Sequence, residues 1–309
     1  MSVDEQGGVL GKVAVVGTGA VGGYYGGLLA HHGEDLHFLL RSDYEIAKES
    51  GFTLKRKGEI LQFPVNAYNR ASDIGVCDWV VITLKSTANR HLSSLLKPLV
   101  GAGTCVLTLQ NGFGNVELIR ELYPENPIFG GLCFVCINRV APAVFENYLP
   151  GYVEMGCAYN SSSDQLQPVI EIWNKVVSKC RVVEPLQEAL WRKLCWNIPF
   201  NGLAIAAGGI TTDLIMANDN LVQRAWTLMR EIQAASPYRI PDDFLQLQFD
   251  NTAKMGPYRP SSLIDFQADR AVELEAIWGN PLREGEGRGV SMPELAKLYG
   301  ELKALVRVN

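Results

Sequence analysis

Residues 13–22 read VAVVGTGAVG, an apolar run followed by the spacing G-x-G-x-x-G. The apolar residues predict a buried strand, and the run from Val21 to His32 predicts a helix directly after the turn. The first glycine allows the tight turn, the second lets the backbone approach a pyrophosphate, and the third lets the helix pack against the strand. The helix N-terminus adds free N–H groups and a positive dipole for the phosphates. The stretch therefore predicts a dinucleotide-binding domain, with a chance glycine-rich loop as the alternative.

The predicted cofactor loop consists of Gly17, Thr18, Gly19, Ala20, Val21 and Gly22. The end of the second predicted strand, at residues 35–40, distinguishes between the two nicotinamide dinucleotides. An NAD enzyme usually has Asp or Glu there for the ribose 2′-OH, whereas this chain has Arg41, which suits a 2′-phosphate. An ordinary surface arginine is the alternative, and Asp43 two residues later slightly weakens the inference. The pattern predicts NADPH/NADP+ as the cofactor.

The first half of the chain alternates strand and helix patterns. The runs WVVITL at 79–84 and CVLTL at 105–109 are continuously apolar, as in a sheet covered on both faces, and 128–137 is similar. Residues 53–65 predict a hairpin. This alternation indicates an α/β fold with an N-terminal Rossmann-type, doubly wound parallel sheet.

The second half has almost no strand signal. Helical periodicity predicts helices at residues 186–207, 221–235, 244–254, 269–280 and 292–305. We therefore expect a C-terminal all-α domain. With the boundary near Glu184-Pro185, the predicted domains are 1–184 for the cofactor and 185–309 for the substrate.

Composition excludes several classes of function. A net charge of −5 and a pI near 5.5 give no reason to bind nucleic acid or an anionic membrane surface. Residues 1–10 lack the pattern of a signal peptide, so we expect a cytoplasmic protein. Cys133 and Cys136 form a C-x-x-C among seven cysteines, but no second ligand cluster accompanies them. A structural role is favoured over a redox or metal pair, and no metal site is predicted.

The histidines limit the choice of a proton donor. Reduction of a ketone by hydride also needs a proton for the developing alkoxide. The four histidines, all in the first half, are His31, His32, His37 and His91. A donor in the second half must therefore be Lys or Tyr.

A polar stripe on an apolar helix supplies the candidate donor. Lys193, Asn197 and Asn201 fall at i, i+4 and i+8 within 190–205, so they share one helix face. Buried Lys and Asn are costly unless paired, so the stripe predicts the wall of a ligand cavity. The alternative is a solvated helix start with asparagines that cap loops. Pro199 is expected to kink this helix.

Five motifs occur across the chain in a fixed order. They are GTGAVG at 17–22, TLKS at 83–86, QNGFG at 110–114, LWRKL at 190–194 and SSLIDFQADRAVELE at 261–275. In order and approximate spacing they resemble the ketopantoate reductase (2-dehydropantoate 2-reductase) family.

The resemblance implies residue roles in the second domain. Lys193 would donate a proton to the C2 oxygen of the substrate, and Glu273 would pair with this lysine and the substrate hydroxyl. Asn197 and Asn201 would hold the hydroxyl and carbonyl end. Ser261 would bind the carboxylate.

The resemblance also places Lys85 and Asn111 at the cofactor and the cleft. Both follow predicted parallel strands, at whose carboxyl ends doubly wound folds bind ligands. Each assignment has a simpler alternative: Lys85 a surface lysine, Asn111 part of a turn, Ser261 a helix cap, and Glu273 a member of a solvated acidic face.

The leading hypothesis is NADPH-dependent reduction of 2-dehydropantoate to pantoate, a step of pantothenate and coenzyme A synthesis. The second is a related reductase of another small 2-oxo acid, similar to hydroxyacid or opine dehydrogenases. The third is a non-catalytic NADPH-binding regulator, which the retained Lys193, Asn197 and Glu273 disfavour. A homodimer stays open as the assembly.

Overall fold

A computed structural model describes residues 9–177 and 179–306 of the chain. It divides into two compact units. The first unit comprises residues up to Gln110 together with Asn115–Leu186, and the second comprises Asn111–Gly114 together with residues from Gln187 onward. The chain divides after Leu186, close to the boundary predicted after residue 184. The sequence does not predict that Asn111–Gly114 belongs to the second unit. Residues 1–8, within the segment predicted to lack a signal peptide, lie outside the described residues.

The described part of the first unit contains one sheet of ten strands. They are β1 (Val13–Val16), β2 (Leu36–Leu39), β3 (Phe52–Arg56), β4 (Glu59–Phe63), β5 (Asn66–Tyr68), β6 (Trp79–Ile82), β7 (Cys105–Thr108), β8 (Ile128–Ala141), β9 (Val144–Tyr159) and β10 (Cys180–Val182). The strands β1, β6 and β7 are buried at every residue, as their continuous apolar runs predict.

A run of parallel strands forms the centre of this sheet, in the order β5-β2-β1-β6-β7-β8. Numbered by their appearance along the chain within this run, the strands follow the doubly wound order 3-2-1-4-5-6. Val13 of β1 pairs with Leu36 on one side and Trp79 on the other, so β1 lies where the strand order reverses. The predicted Rossmann-type sheet is confirmed.

The antiparallel part of the sheet is larger than predicted. The hairpin at residues 53–65 is observed as β3 and β4, but the strand expected at 128–137 continues to Ala141 and pairs with a second long strand, Val144–Tyr159. β8 joins this long hairpin to β7, and β9 pairs in parallel with β3, which joins the β3–β4 hairpin to the sheet.

The first unit's helices cover this sheet. They are α1 (Ala20–His32), α2 (Tyr44–Ser50), α3 (Ala71–Ile74), α4 (Leu92–Leu96), α5 (Asn115–Leu122) and α6 (Ser163–Val176), with a short 3₁₀ helix at Ser86–His91. The core contains a chain of edge-to-face rings, in which Phe52 lies 4.8 Å from Phe38 and 5.1 Å from Phe145 between ring centroids.

The second unit contains helices and connecting loops, with no strand among its described residues. Its helices are α7 (Leu186–Ala206), α8 (Thr212–Met216), α9 (Asp219–Ala235), α10 (Asp242–Ala253), α11 (Ser261–Gln267), α12 (Asn280–Gly287) and α13 (Pro293–Leu305). Trp191, Phe200 and Trp278 are buried in its core, and the indole of Trp278 donates to the carbonyl of Ile198 at 3.0 Å. Within the described residues, no helix combines the length and apolar character needed to cross a membrane.

The helix expected at residues 269–280 is wrong in its first part. Residues 270–273 are not helical, the helix begins at Leu274, and Glu275–Gly279 forms a π-helical turn. Arg270 explains the break, because its backbone N–H and its guanidinium both donate to Asp265, which turns the chain back onto α11.

Four of the seven cysteines are buried, and the structural role predicted for Cys133 and Cys136 stays a prediction. The described residues include all seven, and no disulfide joins them. Burial raises the pKa of Cys77 and Cys105 to about 11, and that of Cys180 and Cys195 to about 12.

We expect these four thiols to resist alkylation in the native protein, because the thiolate is the reactive form and is scarce far below the pKa. Iodoacetamide labelling at pH 8, read by peptide mass spectrometry, checks this. Labelling after unfolding in guanidinium is the control and should reach all seven cysteines. Rapid native labelling of Cys195 would show that its surroundings open readily to solvent.

Candidate active site

The glycine loop follows β1 directly. Gly17 has φ of +101°, and a Cβ there would lie 2.4 Å from the backbone nitrogen of Leu84, so a larger residue is excluded. A Cβ on Gly22 would meet the side chain of Thr83 at 2.2 Å. Thr83 also donates a hydrogen bond to the carbonyl of Gly17. These contacts fix the path of the loop between β1 and α1.

Gly19 differs from its two neighbours in the motif. An added Cβ at Gly19 would meet nothing within 4 Å, so packing inside the protein does not explain a glycine there. The hydroxyl of the preceding Thr18 donates to Leu39 at the end of β2, at 3.0 Å. Open space beside the N-terminus of α1 suits the backbone approach of a pyrophosphate, as the motif predicts.

Two charged residues follow β2, and they differ in exposure. Arg41 is exposed, whereas Asp43 is buried. The carboxylate of Asp43 accepts hydrogen bonds from Arg139 at 2.9 and 3.0 Å, from Ala143 N–H at 3.0 Å and from the Ser42 hydroxyl at 2.8 Å. Asp43 therefore serves the fold, and its charge is balanced by Arg139 rather than directed at a ribose.

The other predicted cofactor residues follow β6 and β7. Lys85 is exposed and precedes the 3₁₀ helix Ser86–His91. Asn111 follows β7, but it belongs to the second unit. The structure thus places the loop at 17–22, Arg41 and Lys85 at carboxyl ends of strands in the first unit, whereas Asn111 is assigned to the second unit.

The polar stripe lies on α7, which continues through Pro199 to Ala206. Asn197 and Asn201 are 8% and 2% exposed, which excludes the alternative of a solvated helix start. Lys193 is half-buried. Its ammonium donates to the side-chain oxygen of Asn111 at 2.9 Å, although the two residues are 82 positions apart.

The start of α11 lies against the same helix. The side-chain oxygen of Asn201 accepts the backbone N–H of Ser262 at 3.0 Å, and both residues are buried. Ser261 is the exposed first residue of α11, whose N-cap is Pro260. Ser261 is therefore not the cap residue, and Asn201 satisfies one free N–H of the first turn instead.

Glu273 is buried, with 6% of its surface exposed. This burial excludes the alternative of a solvated acidic face for Glu273. Its neighbour Glu275, by contrast, is exposed. Glu273 ends the non-helical segment at 270–273, and its carbonyl accepts the N–H of Ile277 at 3.1 Å. A buried carboxylate is costly without compensating hydrogen bonds or charge.

Several residues that support the site are missing from the sequence predictions. In the first unit, the buried side chain of Gln110 donates to Asn89 at 2.7 Å, and Asn89 donates to Asn115 at 3.1 Å. These amides hold the residues that flank Asn111–Gly114. Gln110 could have been predicted because the polar pair Gln110-Asn111 directly follows an apolar strand. No local sequence pattern predicts a role for Asn89.

Among the residues the structure describes, no group of three or more His, Cys, Asp or Glu side chains could hold a metal ion. The potential for chemistry lies in amides, one lysine and one buried carboxylate. Lysine and carboxylic acid groups can move protons, and amides can orient a polar substrate.

Comparisons with known proteins agree with this geometry. The family model "Ketopantoate reductase PanE/ApbA" matches residues 13–160, and "Ketopantoate reductase PanE/ApbA C terminal" matches residues 185–306. A 2-dehydropantoate 2-reductase of Nostoc sp. is 40% identical over 308 residues, which is 95% of each chain.

Solved structures show the same similarity. A 2-dehydropantoate 2-reductase from Geobacter metallireducens is 35% identical, with a TM-score of 0.91 over 95% of this chain and 99% of that one. A D-mandelate dehydrogenase solved with NADH and anilino(oxo)acetate has a TM-score of 0.86 over 95% of this chain and 97% of that one, at 18% identity, and shares the fold. Matches to both family models and the 40% identity establish the relationship: the chain belongs to the ketopantoate reductase family.

Proposed function

We propose that this protein catalyses the NADPH-dependent reduction of 2-dehydropantoate to pantoate. The observation that carries the proposal is the hydrogen bond from Lys193 to Asn111, at one end of the polar face of α7. Lysine is one of the two kinds of proton donor expected in the second half of the chain, tyrosine being the other, and the helix that carries Lys193 otherwise packs into a core. The relatives named for this reaction support the substrate.

The first unit fits the cofactor. Residues 17–22 would hold the pyrophosphate, because Gly19 faces open space and α1 begins there. Arg41 would pair with the 2′-phosphate, since Asp43 is already balanced by Arg139 and does not oppose a phosphate. When bound, NADPH supplies a hydride to the carbonyl carbon of the substrate.

The second unit supplies the proton and the substrate contacts. Lys193 donates its proton to the C2 oxygen as the alkoxide develops, and Asn111 fixes the direction of the ammonium. Asn197 and the Nδ2 group of Asn201 bind the hydroxyl and carbonyl end, because the Asn201 oxygen already accepts from Ser262. Glu273 balances the charge of Lys193, and Ser261 contacts the carboxylate.

Replacing Arg41 with alanine is expected to remove most of the preference for NADPH over NADH. A charge-assisted hydrogen bond is worth about 1.5–3 kcal/mol, which corresponds to roughly tenfold or more in affinity. Fluorescence titration of both dinucleotides measures the preference, with Lys97→Ala as a control at another exposed cation. Equal affinity of the unmodified protein for NADH and NADPH would contradict the assignment.

The substrate is tested by following NADPH oxidation with a panel of 2-oxo acids. We expect the highest kcat/KM for 2-dehydropantoate, because its hydroxyl and carboxylate use the amide and serine contacts together. A higher value for another 2-oxo acid would favour a related hydroxyacid or opine dehydrogenase. Binding of NADPH without turnover of any compound would favour a regulator.

We further propose that the protein acts in the cytoplasm. Its binding partner would be the small-molecule substrate, and it would bind neither nucleic acid nor a membrane. We also propose that it can form a homodimer. The acidic charge supports the second point, and the seven cysteines without a disulfide fit the first. We retain 1–184 as the cofactor domain and 185–309 as the substrate domain. Sedimentation of the purified protein tests the assembly.

A further inference from the structure

We propose that Asn280 is a positioning residue for the proton donor, an inference that rests on the proposed function. Its side-chain amide holds the backbone of the loop at 111–114, so that Asn111 receives the ammonium of Lys193. Asn280 lies outside every motif that identified the site in the sequence. Its role is inferred from contacts within the second unit.

The π-helical turn at Glu275–Gly279 provides the surface to which the loop is fixed. The carbonyl of Ala276, inside this turn, accepts the backbone N–H of Phe113 at 2.7 Å. Wide π turns within helices occur frequently at functional sites, because they change the direction of backbone groups. Here the carbonyl of Ala276 accepts a hydrogen bond from the loop at 111–114, whereas a carbonyl in a regular helix accepts from the next turn of the same helix.

Asn280 completes the attachment of Phe113. Its Nδ2 group donates to the carbonyl of Phe113 at 2.7 Å, so both backbone polar groups of Phe113 are bonded to one helical segment. Phe113 is 9% exposed, and its ring lies 5.2 Å from the ring of Trp191 between centroids. Phe113 is thus held by two hydrogen bonds and one aromatic contact.

Gly112, between Phe113 and Asn111, also lies against the π turn. Gly112 has φ of +90°, and a Cβ there would lie 2.5 Å from the carbonyl oxygen of Ala276. The loop backbone therefore lies directly on the π turn. Because Asn111 is only two residues from Phe113, a displacement of Phe113 moves the oxygen that accepts from Lys193.

A relay of side chains fixes which end of the Asn280 amide faces the loop. Arg283 donates to the Asn280 oxygen at 2.6 Å and to Glu275 at 2.7 Å, and Tyr299 donates to the other oxygen of Glu275. Burial alone would raise the pKa of Glu275, but the hydrogen bonds from Tyr299 and Arg283 leave this pKa below its ordinary value. The Asn280 oxygen is therefore occupied by Arg283, and its nitrogen is presented to Phe113.

Asn280→Asp tests the contact without changing side-chain size. A carboxylate still accepts from Arg283, but it cannot donate to the Phe113 carbonyl. We expect kcat to fall about tenfold or more while the Kd for NADPH stays within about twofold, since a misplaced catalytic group lowers the rate of the chemical step. Hydrogen exchange of the Phe113 amide should accelerate, whether or not substrate is present.

Asn218→Asp is the matched control. Asn218 is exposed, and its side-chain oxygen accepts from Leu221 as the N-cap of α9, a task that Asp performs equally well. The same chemical change at this position should leave kcat and the exchange of the Phe113 amide unchanged.

A double-mutant cycle with Asn111→Ala separates positioning from a general loss of structure. If Asn280 acts through Asn111, adding Asn280→Asp to Asn111→Ala should lower kcat by less than about twofold, whereas independent effects would multiply. Multiplied effects, unchanged exchange at Phe113, or normal kcat in Asn280→Asp would each overturn the positioning role alone. A wild-type protein inactive with every 2-oxo acid would instead overturn the proposed function.

Discussion

Lys193→Ala is expected to lower kcat for reduction of 2-dehydropantoate by about 10²–10⁴-fold, the usual cost of removing a general acid. The hydrogen bond from Lys193 to Asn111 holds the ammonium in one direction, and the sequence has no histidine after His91 to replace it. The Kd for NADPH should change little, because the residues assigned to the phosphates belong to the first unit. Stopped-flow measurement of NADPH oxidation, with a separate binding titration, distinguishes the two quantities.

The pH dependence of kcat provides a second measurement of the same variant. A deprotonated lysine cannot donate, so the unmodified enzyme should lose activity as the pH rises through the pKa of Lys193 in the complex. This basic limb should disappear in Lys193→Ala, whose residual rate depends on water as the donor. Persistence of the limb would assign the titration to another group.

Arg192→Ala is the matched control on the same helix. Arg192 lies about 100° around α7 from Lys193, where it forms an ion pair with Glu188 at 2.7 Å and lies 5.2 Å from the Phe244 ring. Its removal should reduce the free energy of unfolding slightly and leave kcat nearly unchanged. Near-normal kcat in Lys193→Ala, or a larger loss in Arg192→Ala, would mean that the proton comes from elsewhere.

Local sequence patterns predicted the parts of the fold that depend on neighbouring residues. Buried parallel strands such as Trp79–Ile82 and Cys105–Thr108 are apolar at every position, so they were recognisable without knowledge of their partners. The strand Val144–Tyr159 was missed because it is only partly buried and contains Pro150 and Gly151, which usually indicate a loop. Its extended conformation is stabilised by hydrogen bonds to β8, which the residues of β9 do not predict by themselves.

The same distinction applies to the candidate site. Lys193, Asn197 and Asn201 share a helix face, so a spacing of four residues was sufficient to group them. The contact from Lys193 to Asn111 spans 82 residues, and the contact from Asn280 to Phe113 spans 167. No periodicity encodes such separations, and the π turn that precedes Asn280 interrupts the regular pattern expected of the predicted helix at 269–280.

Glu273→Gln is expected to lower both kcat and kcat/KM by about 100-fold, within the range for a lost acid–base or electrostatic contribution. Glutamine keeps the size of the side chain but removes a charge from a position that is only 6% exposed. We assign that charge to balancing Lys193 and to accepting from the substrate hydroxyl, so the loss should appear in catalysis rather than in binding of NADPH. Steady-state kinetics with 2-dehydropantoate and a thermal unfolding curve measure the two consequences separately.

Glu284→Gln is the control for this prediction, because Glu284 is exposed on α12 in the same unit. The same loss of charge at the surface should leave the kinetics unchanged. Normal kinetics in Glu273→Gln with a lower unfolding temperature would make Glu273 an acid that stabilises the segment at 270–273. A kinetic loss confined to Glu273, with the fold retained, would instead connect this buried carboxylate to the proton that Lys193 delivers.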